Sequence, residues 1–246
     1  MCSKFDRKSV IVVFVLLPIF VFALRELNIE VGKRNQDAVL NILRTLDYEA
    51  LTVEDKCDVV LAYSELSVWG SGDKRSWENR ALQLSKDLLE NYPDNWKVNY
   101  TYAIVLAHIV QMNPIVGILY DSSMRYHLEK AMDLAPDEYL PYLVMGVRYL
   151  EVPWPFKDLD KAERYLLQAL KLNPGHLYTY LELGKLYEQK KEWHRAVEMY
   201  RKVLELPVEE EWEYISFEAK DKATKRLEEI EWRCAEKNES AGLNGK

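Results

Sequence analysis

The feature that most constrains this 246-residue chain is that it repeats. Ala131-Met132-Asp133-Leu134-Ala135-Pro136 and Ala169-Leu170-Lys171-Leu172-Asn173-Pro174 share one register, 38 residues apart. Leu204-Glu205-Leu206-Pro207 closes a further copy 33 residues after Pro174, and Pro93 ends another 43 residues before Pro136. Between these stops, apolar residues recur at helical spacing, while strand-like alternation is missing. Two helices per period of this length cannot bury their apolar faces alone. Stacking neighbouring pairs buries a continuous core. The predicted fold is therefore all-α, an α-solenoid of antiparallel helical hairpins.

Composition supports that reading. Nine glycines and nine prolines are few for a chain of this length, and a sheet protein would need more turn residues. The formal net charge of −7 argues against nucleic acid as a partner, because phosphate binding needs concentrated positive charge. The three cysteines, Cys2, Cys57 and Cys234, form no CxxC and no metal-ligand spacing.

The segment Leu177 to Pro207 carries the pattern most cleanly. Its first helix places Tyr180, Leu183, Gly184 and Tyr187 at i, i+3, i+4 and i+7, and its second places Ala196, Tyr200 and Val203 on one face. This resembles the tetratricopeptide repeat. That family has an aromatic, Leu-Gly, an aromatic, Ala, an aromatic and a closing Pro in this order. Val203 stands where Ala is usual, and Pro207 comes one residue early. The preceding copy has Tyr142, Met145-Gly146, Tyr149, Ala162, Leu166, Ala169 and Pro174, with an inter-helix loop four residues longer. A further copy has Ala103 at the glycine position. The first hairpin, about 53–92, is degenerate, with Thr52 as its cap. Asn35–Leu46 reads as an amphipathic N-terminal helix. Phe217–Trp232 reads as a C-terminal capping helix with Ala219, Ala223, Leu227 and Ile230 inward.

The ends have their own reading. Lys4, Arg7 and Lys8 precede Val10–Leu24, a run of 15 residues without a charge. That is short for a membrane span and suits a signal peptide. Residues 1–23 are expected to be a signal peptide cleaved after Ala23, or a signal anchor tethering the chain through residues 9–24. Both put the body of the protein outside the cytoplasm, in the periplasm or cell envelope. Residues 24–34 read as a linker, 35–232 as the repeat domain, and 233–246 as a polar, disordered tail.

No motif for chemistry is present: no HExxH, Walker, GxGxxG or GxSxG pattern. His108, His127, His176 and His194 read as packing or solvated residues. No catalytic, metal or cofactor site is predicted. Asn99-Tyr100-Thr101 matches a glycosylation sequon but lies mid-helix.

Binding is the expectation that remains. In a tetratricopeptide array the first helix of each hairpin lines a concave groove. By register with Gly184, groove positions include Tyr100 and Ile104, then Leu140, Leu143, Val147 and Leu150, then Tyr178, Leu181 and Lys185. This apolar face suits an apolar or helical ligand, unless a terminal helix of the same chain fills it. Two long loops form a second candidate edge, with Ile115 and Leu119 in one and Trp154 and Phe156 in the other. They either contact a partner or membrane, or pack on each other. The chain is thus expected to hold a protein partner, such as a solute-binding or envelope protein. An export signal together with the Gly146–Pro153 helix end is similar to the periplasmic tetratricopeptide subunit of TRAP-type transport systems. That resemblance implies the alternative, an accessory that binds a small hydrophobic solute.

Overall fold

The computed structural model describes residues 24–153 and 156–243, with side chains to residue 230. The expected signal segment and Trp154 lie outside the described residues. Every regular element described is helical: α1 (24–32), α2 (Gln36–Thr45), α3 (Val53–Trp69), α4 (Lys74–Asn91), α5 (Trp96–Met112), α6 (Gly117–Leu134), α7 (Tyr139–Glu151), α8 (Leu159–Leu172), α9 (Leu177–Gln189), α10 (Trp193–Glu205) and α11 (Glu213–Leu243). Short 3-10 turns sit at Tyr48–Ala50, Pro114–Val116 and Glu210–Trp212.

Helix starts follow from local chemistry. Asn35, Thr52, Asp73, Asn95 and Asp158 each accept a hydrogen bond from the backbone N–H three residues on, at 3.4, 3.2, 3.0, 3.1 and 3.0 Å. Each bond satisfies a donor that the first helical turn would leave orphaned.

The backbone divides into two compact units, Met1–Tyr120 and Asp121–Lys246, where the sequence reads as one repeat domain. The division falls within the first turns of α6.

In the first unit, α3 packs against α4 and α5, and α4 packs against α5. Paired residues show that α3 and α5 run parallel: Lys97 is 2.7 Å from Asp58, and Ser64 Oγ is 2.8 Å from His108 Nδ1. Residues 24–32 correct the linker expectation. They form a helix whose Leu24 and Leu27 join Val39, Leu51, Val59, Ala62 and Leu66 in a buried cluster. Leu24, Leu27 and Val31 lie at i, i+3 and i+7, a stripe that the charges of Arg25, Glu26 and Glu30 interrupt in the sequence.

In the second unit, α7 pairs with α8 and α9 with α10, as antiparallel hairpins crossing at glycines. A Cβ on Gly184 would stand 2.7 Å from Tyr200 Cδ1, and one on Gly146 would stand 2.7 Å from Leu166 Cγ. Both are impossible contacts, so glycine is what lets the helices approach this closely. Arg148 is buried and held bidentately by Asp121, with Nε and Nη2 each 2.7 Å from a carboxylate oxygen. Glu163 accepts from Tyr187 at 3.1 Å, Lys190 at 2.5 Å and Arg195 at 2.8 Å, which ties α8 to α9 and α10. The terminal helix is longer than expected. α11 reaches Leu243 and takes in most of the segment read as a disordered tail. Up to residue 230 its buried residues are Ser216, Ala219, Ala223, Leu227 and Ile230.

Candidate binding surfaces

The groove positions separate into two sets. Tyr100, Leu143, Leu150 and Leu181 are buried, with Leu150 0% and Leu181 1% exposed. They are interior side chains and meet no ligand unless helices part. Ile104, Leu140, Val147, Tyr178 and Lys185 are half-buried and reachable. The reason is packing between successive first helices of the repeats. Register in a single repeat identifies the face but not the neighbouring helix that covers part of it.

α11 is such a neighbour for α9. Arg226 pairs with Glu188 through both Nε and Nη2, and Nε lies 2.8 Å from Glu188 Oε1. The Tyr200 hydroxyl donates to the same carboxylate oxygen at 2.5 Å. Lys220 donates to the carbonyls of Leu204 and Leu206 at the end of α10, at 3.1 and 2.5 Å. α11 therefore occupies the place of a first helix in a further hairpin, beside α9 and against α10.

Between them lies a cleft of about 310 Å³, lined by Leu181, Lys185, Glu188, Gln189, Tyr200, Lys222 and Arg226. Leu181, Lys185 and Glu188 in this wall are groove-side positions of α9. The cleft is thus the open remainder of the last repeat's groove. Behind it Leu181 and the Tyr200 ring are apolar but buried, 1% and 0% exposed, and its rim carries ionic heads. Beneath it Glu182 is fully buried, with Lys185 Nζ 2.7 Å from its Oε1. Burial pushes the Glu182 carboxyl above the usual carboxylate value, against the opposing pull of Lys185. Burial likewise lifts the Tyr200 phenol well above its ordinary value, with the Glu188 carboxylate adding to the effect.

The loop candidates differ from the groove. In the first unit Ile115 is 87% exposed, Ile118 80% and Leu119 74%. In the second unit Phe156 is 55% exposed. Ile118 is absent from the residues the sequence singles out, although it shares the uncharged stretch with Ile115 and Leu119. The Asn99 sequon is sealed: Asn99 and Thr101 are both 0% exposed, and Asn99 Nδ2 donates to the carbonyls of Pro93 and Asn95 at 2.7 and 2.8 Å. His176 is buried against the Tyr139 ring, with Nδ1 2.9 Å from Thr179 Oγ1. Among the described residues no group of three or more His, Cys, Asp or Glu could hold a metal ion, and no helix is long and apolar enough to cross a membrane.

Residues 179–211 and residues 154–176 each match a family model of the tetratricopeptide repeat. Those two segments are tetratricopeptide repeat sequence. Both matches fall in the second unit: residues 179–211 take in α9 and α10 with Gly184, and residues 154–176 take in α8 without Gly146. Among solved structures, a thermophilic TPR protein of Thermus thermophilus is similar with a TM-score of 0.59 at 20% identity, over 78% of this chain and 96% of that one. MamA of MSR-1 aligns at 20% identity over 74% of this chain and 93% of its own, with a TM-score of 0.44. At these identities the likeness to the Thermus protein is one of fold. No curated protein sequence matches the chain.

Proposed function

We propose that the protein is a non-catalytic scaffold that holds a protein partner in the groove of its second unit, outside the cytoplasm. The observation that carries this reading is the cleft on the groove face of α9, whose reachable wall is Lys185, Glu188, Gln189, Lys222 and Arg226 above the buried Leu181 and Tyr200. Its α9 and α10 wall lies within the region matched by a repeat family model, and protein binding is the common use of such repeats. Half-buried Leu140 and Val147 on α7 add apolar surface at equivalent positions. A helical segment laid along this face would bury them with Tyr178 and contact Lys185. Affinity would come from apolar burial at roughly 25 cal/mol per Å², less the cost of ordering both partners. The location rests on the charged start and uncharged run of residues 4–24.

The test is a photo-crosslinking residue at Val147, compared with one at exposed Glu228 on α11. The expected outcome is a defined crosslinked partner from Val147 alone, lost when Lys185→Glu is introduced while helicity is unchanged. Crosslinks of equal yield from both positions, or a Val147 crosslink indifferent to Lys185→Glu, would sink the groove reading. A periplasmic reporter fused after Lys246 tests the location separately.

A further inference from the structure

We infer that the uncharged tip joining α5 to α6, residues 112–120, inserts into a lipid bilayer. The inference is independent of the groove in the second unit. Nine consecutive residues, Met112-Asn113-Pro114-Ile115-Val116-Gly117-Ile118-Leu119-Tyr120, carry no charge. Four of their apolar side chains face solvent: Met112 at 45%, Ile115 at 87%, Ile118 at 80% and Leu119 at 74%. A water-soluble turn between two long helices would ordinarily be polar.

The backbone explains why these side chains stand outward. Asn113 ends α5 with its N–H bonded to Ile109 O at 2.9 Å. Pro114–Val116 makes a single 3-10 turn, and α6 begins at once at Gly117. A Cβ on Gly117 would lie 3.2 Å from Val110 Cγ1, so the turn is drawn tightly onto α5. With so little backbone between the helices, Ile115 and Ile118 point away from the core. The result is a convex apolar wedge, the opposite shape from a cleft that encloses a peptide.

Size and charge select the occupant. A second copy docked on this patch would bury far less than the roughly 800 Å² per side of a stable interface. A protein surface of ordinary composition would need complementary polar contacts, and the tip offers no charge for them. A bilayer asks only for uncharged apolar groups. The four side chains carry on the order of as many apolar carbons as one myristoyl chain, which holds a protein to a membrane reversibly and needs a second contact for stable attachment. The signal-anchor reading of residues 9–24 would supply one in the same unit, because the uncharged run Val10–Leu24 ends where α1 begins.

The geometry of that unit also fixes how the two contacts are spaced. Asn28 on α1 bonds to Asp58 on α3, and Gln36 lies 3.0 Å from Ser71 O just past the end of α3. α1 therefore runs parallel to α3, as α5 does, and residue 24 enters at the end of the layer away from the tip. A 17-residue helix at 1.5 Å per residue separates the two by about 25 Å. Contacts that far apart lay α3 and α5 along the bilayer surface.

The experiment uses the full chain with Cys2→Ser and Cys234→Ser, leaving Cys57 buried. An environment-sensitive nitrobenzoxadiazole label is placed at Ile118→Cys, at Ile115→Cys as a second position, and at Glu90→Cys as an exposed control. Each protein is reconstituted into vesicles of phosphatidylcholine and phosphatidylglycerol, with or without lipid carrying a nitroxide near the headgroup. The expected result is a blue-shifted emission at both tip positions, quenched several-fold more than at position 90. Water-like emission at both tip positions in vesicles would overturn the inference and leave the tip to a protein partner. A blue shift that grows with protein concentration in detergent-free solution, without lipid, would overturn it in favour of a second copy.

Discussion

The two units reach helical packing by different means. The second crosses its hairpins at Gly146 and Gly184, with Leu166 and the Tyr200 ring filling the space a Cβ would need. It then braces the crossings with ion pairs on Glu163 and Glu188. The described glycines of the first unit lie at helix ends and turns, at 32, 70, 72 and 117. Beside its leucine and valine core it buries small and polar residues: Ala62, Ala81, Ser64, Ser67, Ser85, Asn99 and Thr101 are all buried. Some of their polar atoms turn to nearby backbone, as in Ser67 Oγ to Ser64 O at 2.6 Å and Ser85 Oγ to Leu82 O at 3.0 Å, while Ser64 Oγ meets the His108 ring. Both routes bring helices close. The Gly184–Tyr200 crossing lies inside one of the two segments that match repeat family models, and both segments lie in the second unit.

Three measurements would break or sharpen that contrast. The largest effect is expected for Tyr200→Ala, which empties the space beside Gly184 and removes the hydroxyl bond to Glu188. The second unit should lose about 4 kcal/mol, the usual cost of deleting a buried aromatic. Chemical denaturation that shows less than about 1 kcal/mol would mean the crossing is not what holds this hairpin.

Acid comes next. Burial depresses His176 from 6.5 to about 4. The folded state prefers the neutral ring, so its full stability is present above pH 6.5. As pH falls towards 4 the unfolded chain takes up the proton first, and stability is lost. A shift of this size corresponds to about 3 kcal/mol. His176→Phe should remove this acid limb from the second unit's unfolding curve, and an unchanged limb would assign it elsewhere.

The smallest pair is reciprocal. Gly184→Ala should cost about 2 kcal/mol by overpacking against Tyr200, although alanine is the better helix former. Ala81→Gly, in the buried face of α4, should cost about 1 kcal/mol through helix entropy. Equal responses to alanine and glycine in the two units, read from thermal midpoints, would erase the distinction.

Much of this architecture was legible in the residues. Leu183-Gly184 with Tyr200 and Met145-Gly146 with Leu166 placed two hairpins, because a glycine facing a large side chain is a packing instruction written in one dimension. The Thr52 cap was equally readable, since its partner Asp55 is three residues away. What escaped depended on distant neighbours. Leu24 and Leu27 sit in a run broken by charges, and only α3 completes their core. Leu143, Leu150 and Leu181 have the right register for a groove but lie under adjacent helices, and a single repeat contains no information about its flanks. Ion partners such as Arg226 and Glu188, 38 residues apart, are set by the same unseen juxtaposition.

The position of α11 has a consequence for engineering. Beside α9 and against α10, it is half of another hairpin, with exposed Asp221, Thr224, Lys225 and Glu228 where a second helix would sit. Those polar side chains act as a stop codon written in surface chemistry. Exchanging them for small and apolar residues, and grafting a matching helix after them, would let the array grow by whole modules, each new pair inheriting the previous one as its template.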